Sequence, residues 1–119
     1  MEVQRLEAIK IAHKAVEIAS DKQATDIILL DVRDIVSFAD YFVICSGESG
    51  RQISAVYDEI LHSLKKENVM PRHREGTVAS GWLLLDYDTV VIHIFAPAER
   101  QYYQLDELWS QAKTVVRVQ

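Results

Sequence analysis

Apolar residues recur along this chain with helical and extended periods in turn, and the alternation predicts the architecture. Over the first twenty residues Leu6, Ile9, Ala12, Val16 and Ala19 recur at helical spacing, with Ile11, Ala15 and Ile18 widening the stripe. This predicts a mostly buried amphipathic helix. Polar residues from Ser20 to Thr25 end it, and residues 27–32 then read as a strand, with Ile27, Ile28, Leu29 and Leu30 apolar on both faces as in the centre of a covered sheet. Residues 41–45, Tyr-Phe-Val-Ile-Cys, form a second such strand, and turn residues 46–50 follow. Ser49-x-x-Gln52 is a capping box that opens a helix over residues 49–66. Ile53, Val56, Tyr57, Ile60, Leu61 and Leu64 line one stripe of it, opposite Asp58, Glu59, Ser63 and Lys65. Lys65 and Lys66 complement the helix dipole, and Pro71 prevents continuation.

Residues 70–80 are polar and weakly patterned, and read as a loop with room for one short strand. Residues 82–86 and 89–95 read as an antiparallel hairpin about Tyr87-Asp88, with position 86 facing 89 and Trp82 opposite His93. Pleating then sorts the side chains. Leu83, Leu85, Val90, Ile92 and Ile94 form an aliphatic face suited to packing under helices. Trp82, Leu84, Asp86, Thr89, Val91, His93 and Phe95 form a mixed face of the kind that meets a partner. The turn lacks the glycine that a type I′ geometry prefers, so a loop longer by a residue, with a shifted register, stays open. After Pro97, Tyr102, Leu105, Leu108 and Trp109 predict a short final helix, and the tail, residues 111–119, reads as irregular.

The expected fold is therefore α/β: a single domain over residues 1–119, with a mixed β-sheet covered by helices. At 119 residues the chain can bury a core without disulfides or a structural metal. Its one cysteine, Cys45, sits in an apolar run, which points to a reducing compartment. The N-terminus, with Glu2 and Glu7, fits neither a signal nor a transit peptide, and no apolar run is long enough to span a membrane. A cytoplasmic location is expected. The formal charge of −5 disfavours broad contact with nucleic acid phosphates, and the Arg72-His73-Arg74 patch reads as a solvated loop.

No catalytic constellation is complete. Residues 46–50, Ser-Gly-Glu-Ser-Gly, stand where a phosphate cradle would, but no lysine opens the following helix and Glu48 would repel the anion. Gly47-Glu-Ser49 lacks the spacing of a nucleophile elbow. Asp86 and Asp88 could hold a divalent metal from a strand, but they bracket a turn, where aspartates serve the backbone. His13, His62 and His73 form no zinc spacing with Cys45. Neither cofactor nor metal is expected, and a binding protein is favoured over an enzyme.

The ordered motifs Asp21-Lys, Asp26-Ile, Ile44-Cys-Ser-Gly-x-Ser, Arg51-Gln52, Glu75-Gly76, Gly81-Trp82, Leu85-Asp86-Tyr87, Val91-x-His93 and Leu105-x-x-Leu-Trp109 resemble the ribosomal silencing factor (Iojap-related) family over about residues 5 to 110. The resemblance implies a nucleotidyltransferase-like fold without the transferase chemistry. It also implies a translational repressor that binds the large ribosomal subunit through ribosomal protein L-fourteen and blocks joining of the small subunit. Carried onto this chain, the family's partner surface falls on Trp82, Asp86 and Tyr87, with His93 on the adjoining strand; the mixed hairpin face adds Leu84 and Val91. Asp88-Thr89 departs from the family's usual Gly-Asp at the hairpin. A large-subunit assembly factor and a metal-dependent nucleotidyltransferase-like enzyme remain the alternatives, and a homodimer is open for the free protein.

Overall fold

The computed structural model describes residues 7–119. Its six strands form one mixed sheet in the order β3-β4-β5-β2-β1-β6. The elements are α1 (Ala8–Asp21), β1 (Thr25–Asp31), β2 (Tyr41–Ser46), α2 (Gly50–Lys66), β3 (His73–Thr77), β4 (Trp82–Asp86), β5 (Val90–Phe95), α3 (Pro97–Tyr103), α4 (Leu105–Leu108) and β6 (Lys113–Val118). The mixed α/β architecture is the expected one. β2 and β5 pair in parallel at the centre, and every residue of both is buried, as a strand covered on both faces must be. All other neighbours run antiparallel.

α1 and α2 cover one face. Ala12, Ala15 and Ala19 of α1 are fully buried, and their small side chains bring the helix close to the sheet. Leu6, assigned to the same stripe, lies outside the described residues. Ile53, Val56, Ile60 and Leu64 of α2 meet Leu83, Leu85, Ile92 and Ile94, the aliphatic hairpin face, in the same core. Both helices end in a left-handed residue that returns the chain. Gln23 (φ 63°) follows α1 and Asn68 (φ 62°) follows α2. Ala24 N–H then donates to Ala19 and Val69 N–H to Leu64, both at 2.9 Å.

The capping box forms, and it reaches further than the helix it opens. Ser49 Oγ accepts from Gln52 N–H at 3.1 Å, while Gln52 Oε1 accepts from Glu48 N–H at 2.8 Å. Gln52 Nε2 donates to the carbonyls of Lys22 and Gln23. One side chain thus ties the start of α2 to the left-handed end of α1, and it engages the loop amide that a phosphate cradle would need.

Three expectations require correction. The hairpin pairs Asp86 with Val91 and Trp82 with Phe95, so the register is displaced by two positions from the 86–89 pairing. An even displacement leaves each side chain on its face. The tip is Asp88-Thr89: Asp88 takes φ 73°, Thr89 N–H donates to Tyr87 O, and Asp86 Oδ1 accepts from Asp88 N–H at 2.7 Å. Asp88 thus adopts the backbone for which glycine is ordinarily chosen. Second, the final helix is broken at Gln104 (φ 49°) into α3 and α4; the side chain of Leu108 lies outside the described residues. Third, the tail is no irregular segment, because β6 pairs antiparallel with β1 and closes that edge of the sheet. The short strand allowed for in residues 70–80 is β3, exposed throughout.

Gln52→Ala should cost about 1 kcal/mol of stability, since it strips an acceptor from the cap and a donor from two carbonyls. The neighbouring exposed Arg51→Ala should stay within about 0.5 kcal/mol. Urea denaturation of both variants measures this, and equal midpoints would contradict the role given to Gln52.

Candidate protein-binding face

The face opposite α1 and α2 is covered less completely. Ile28, Leu30, Val32, Ala39, Phe42, Ile44, Val91 and Phe95 form its buried layer, with Trp82, Leu84, Leu105 and Trp109 partly buried on top. Among the described residues α3, α4 and the loop at residues 32–40 lie over it, and the β4 end stays half open. Glu75, Gly76, Ser80, Trp82, Leu84 and Tyr103 line a groove there of about 420 Å³.

Local chemistry builds the groove. Gly76 (φ 89°) lies so close to β4 that a Cβ on it would stand 1.9 Å from the Trp82 carbonyl oxygen, so the edge strand can hug the tryptophan only with glycine here. The turn from β3 to β4 is stitched by Ser80, whose Oγ donates to Thr77 O at 2.7 Å. Trp82 is half-buried rather than freely standing: its indole stacks on Phe95 (4.9 Å between centroids) and lies under Tyr103 (4.5 Å). Its Nε1–H donates to His93 Nδ1 at 3.1 Å.

The six residues expected at the partner surface divide into layers. Trp82, Leu84 and Asp86 share one face of β4 and are partly buried. Val91 (8 % exposed) and His93 (6 %) lie beside them on β5, paired with Asp86 and Leu84, and are nearly covered. Tyr87 belongs to neither layer. It is 5 % exposed and packs in the core under α1 and α2, because residue 87 points to the opposite side of the pleat. Burial pushes its phenol up to about 12.

Asp86 and Asp88 are held by one cation: Arg72 donates from Nη2 to Asp86 Oδ2 at 3.1 Å and from Nη1 to Asp88 Oδ1 at 2.9 Å. The hydrogen bond to Asp86, followed by the charges of both aspartates, raises the pKa of Arg72. The pair bridges the hairpin tip to the entry of β3, a structural use of both carboxylates, and Arg72 is more than a solvated loop residue. Among the described residues, no group of three or more His, Cys, Asp or Glu side chains is placed to hold a metal. Cys45 is fully buried and its thiol is pushed up to about 12, which matches the core role expected of it.

Tyr103, Glu75 and Ser80 were not anticipated at the site. The helical stripe favoured Tyr102, which is 81 % exposed, because the break at Gln104 rotates the register on which that stripe relied. Arg100 was missed too. It forks onto Asp106 at 3.2 and 2.8 Å, donates to Ser46 Oγ at 3.0 Å and reaches the carbonyl of Asp26, itself left-handed at φ 49°. This anchor pins α3 and α4 across the ends of β1 and β2.

The family model described as "Ribosomal silencing factor during starvation" matches residues 5–119. The chain belongs to the ribosomal silencing factor family. It is 39% identical over 104 residues to "Ribosomal silencing factor RsfS" of Bacillus subtilis (strain 168), covering 87% of this chain and 86% of that one. The crystal structure of a Chromobacterium violaceum protein superposes with a TM-score of 0.83 at 32% identity, covering 88% of each chain. A mouse protein named "Mitochondrial assembly of ribosomal large subunit protein 1" is 34% identical over 98 residues, 80% of this chain and 43% of its own. These relatives carry regulatory or assembly names rather than enzymatic ones.

Burial lowers the pKa of His93 from 6.5 to about 4, so the imidazole is neutral near neutral pH. The unfolded chain takes up this proton near pH 6.5 and the folded chain only near 4. The contribution is full above 6.5 and is lost as pH falls between those values, by about 3 kcal/mol at most. Relative to His93→Phe, the parent should lose stability across that window in urea titrations; a constant difference would contradict neutral burial.

Proposed function

We propose that this protein represses translation by binding the large ribosomal subunit through ribosomal protein L-fourteen and sterically blocking association with the small subunit. The observation that carries the reading is the family match across residues 5–119. The half-open β4 face supports it, since its Trp82-centred apolar patch, with Glu75 beside it, suits a protein partner with an apolar centre and a basic group at its rim. The net charge of −5 fits a protein contact better than one with bare RNA. Among the described residues no helix is long and apolar enough to cross a membrane, and ribosome binding would place the protein in the cytoplasm. Occupancy is the whole mechanism, and the absence of turnover follows from it. The mouse relative's name favours a second reading, a role in assembling the large subunit through the same face.

Co-sedimentation with separated ribosomal subunits tests the proposal. The protein should pellet with the large subunit and not the small one, with only a moderate loss of binding as salt rises. Equal association with both subunits or with bare RNA would overturn it. Release of subunit-joining inhibition without release of binding would favour assembly over repression.

Trp82→Ala should weaken large-subunit binding roughly thirtyfold, the loss of one interface anchor. Stability should fall by about 2 kcal/mol, because the stacks on Phe95 and Tyr103 go with it, and not by the roughly 3–5 kcal/mol of a fully buried tryptophan. A denaturation curve and a binding curve on one preparation separate these. Strong unfolding with unchanged affinity of the folded fraction would place the interface elsewhere.

A further inference from the structure

His93 was grouped with the partner contacts, yet it lies under Trp82 with 6 % of its surface exposed. Its ring is boxed by aromatic neighbours: Phe42 meets it edge-on at 5.6 Å, Phe95 lies parallel at 6.2 Å, and Trp82 tilts over it at 5.8 Å. Leu84 and Ile44 are its cross-strand neighbours. Its recorded hydrogen bond is the one from Trp82 Nε1–H to Nδ1. An indole nitrogen can only donate, so Nδ1 must be the acceptor and the imidazole proton sits on Nε2.

The stacked Phe95 and the tilted Tyr103 cannot do what this bond does. Phe95 below and Tyr103 above confine the plane of the indole, but stacking is only weakly selective about which ring edge faces which way. A hydrogen bond to one fixed nitrogen selects a single orientation. We propose that His93 is the positioning residue of the docking face: it touches no partner, and it holds the Trp82 indole in the one orientation that shapes the groove. The proposal rests on the functional reading above for what the groove binds. It makes His93 act through Trp82, with the buried acceptor rather than the imidazole's bulk as the necessary feature.

Two substitutions separate acceptor from bulk. His93→Phe keeps a ring and removes the acceptor; His93→Asn keeps an acceptor oxygen at the δ position and removes the ring. The readouts are the indole N–H resonance of Trp82, distinguished from that of Trp109 by a Trp109→Phe variant, and co-sedimentation with the large subunit. The Phe variant should move the Trp82 resonance upfield and weaken binding about tenfold in spite of its preserved packing. The Asn variant should keep the downfield resonance and bind within about twofold of the parent per folded molecule, although it is less stable. An unmoved resonance or parental binding in His93→Phe would overturn the proposal, as would losses of binding that follow stability in both variants. The parent gives an independent decision: imidazole nitrogen shifts must place the proton on Nε2, and a proton on Nδ1 refutes the clamp. Should the parent fail to bind the large subunit, the functional reading falls, and the resonances alone still decide whether His93 holds Trp82.

Discussion

The parallel pairing of β2 with β5 is the constraint on which the rest of the molecule depends. Parallel neighbours cannot be joined by a tight turn, so the chain between them must leave the sheet and return. It does so through α2 and the β3–β4 pair. A pair buried on both faces also requires cover on both, and the two covers differ. α1 and α2 close one face with aliphatic packing, whereas α3, α4 and a loop close the other only in part. Two polar side chains of the pair are buried, Ser46 and His93. Each is met by a group from the thinner layer or its edge, Ser46 by Arg100 of α3 and His93 by Trp82 of β4. The open part of the second face therefore lies next to Trp82, which the central strand meets through both His93 and Phe95.

That arrangement leaves the two places where the sequence invited catalytic chemistry occupied by the protein's own groups. Where an enzyme would array free carboxylates, Asp86 and Asp88 are engaged by Arg72 and hold the hairpin tip. Where a nucleotide phosphate would meet the loop after β2, Glu48 N–H is already paired with Gln52. What remains accessible is shape and apolar area at the β4 end, with Glu75 beside it. Exposed ion pairs of this kind contribute little to stability individually, so Arg72 fixes the geometry of the tip more than it adds to the stability of the fold.

Much of this was legible in the sequence because burial imposes periodicity. The stripes of α1 and α2 and the continuous apolar runs of β1, β2 and β5 appear where expected. The two faces of the hairpin were legible even though its register was not, since a displacement of two positions preserves every face. Edges were the blind spot. β3 buries nothing and so leaves no pattern, and in β6 the partly buried Val116 and Val118 alternate with Arg117 too briefly to stand out. The missing glycine at Asp88 flagged the hairpin tip but not its register, and left-handed Gln104 gave no local signal; their geometry is supported by Asp86 and by the Arg100 anchor. Tyr87, placed at the partner surface by the family resemblance alone, lies on the opposite side of the pleat from Asp86, in the core under α1 and α2.

The central claim is that the partner lands on the open β4 end of the second face. Hydrogen exchange of backbone amides, compared between the free protein and its complex with the large ribosomal subunit, tests it most directly, because β3 is an exposed edge whose outward amides exchange readily when free. The account predicts new protection concentrated in β3, in the turn to β4 and in α3 around Tyr103, with the exposed sides of α1 and α2 unchanged. Protection falling on α1 and α2 while β3 continues to exchange as in the free protein would contradict it.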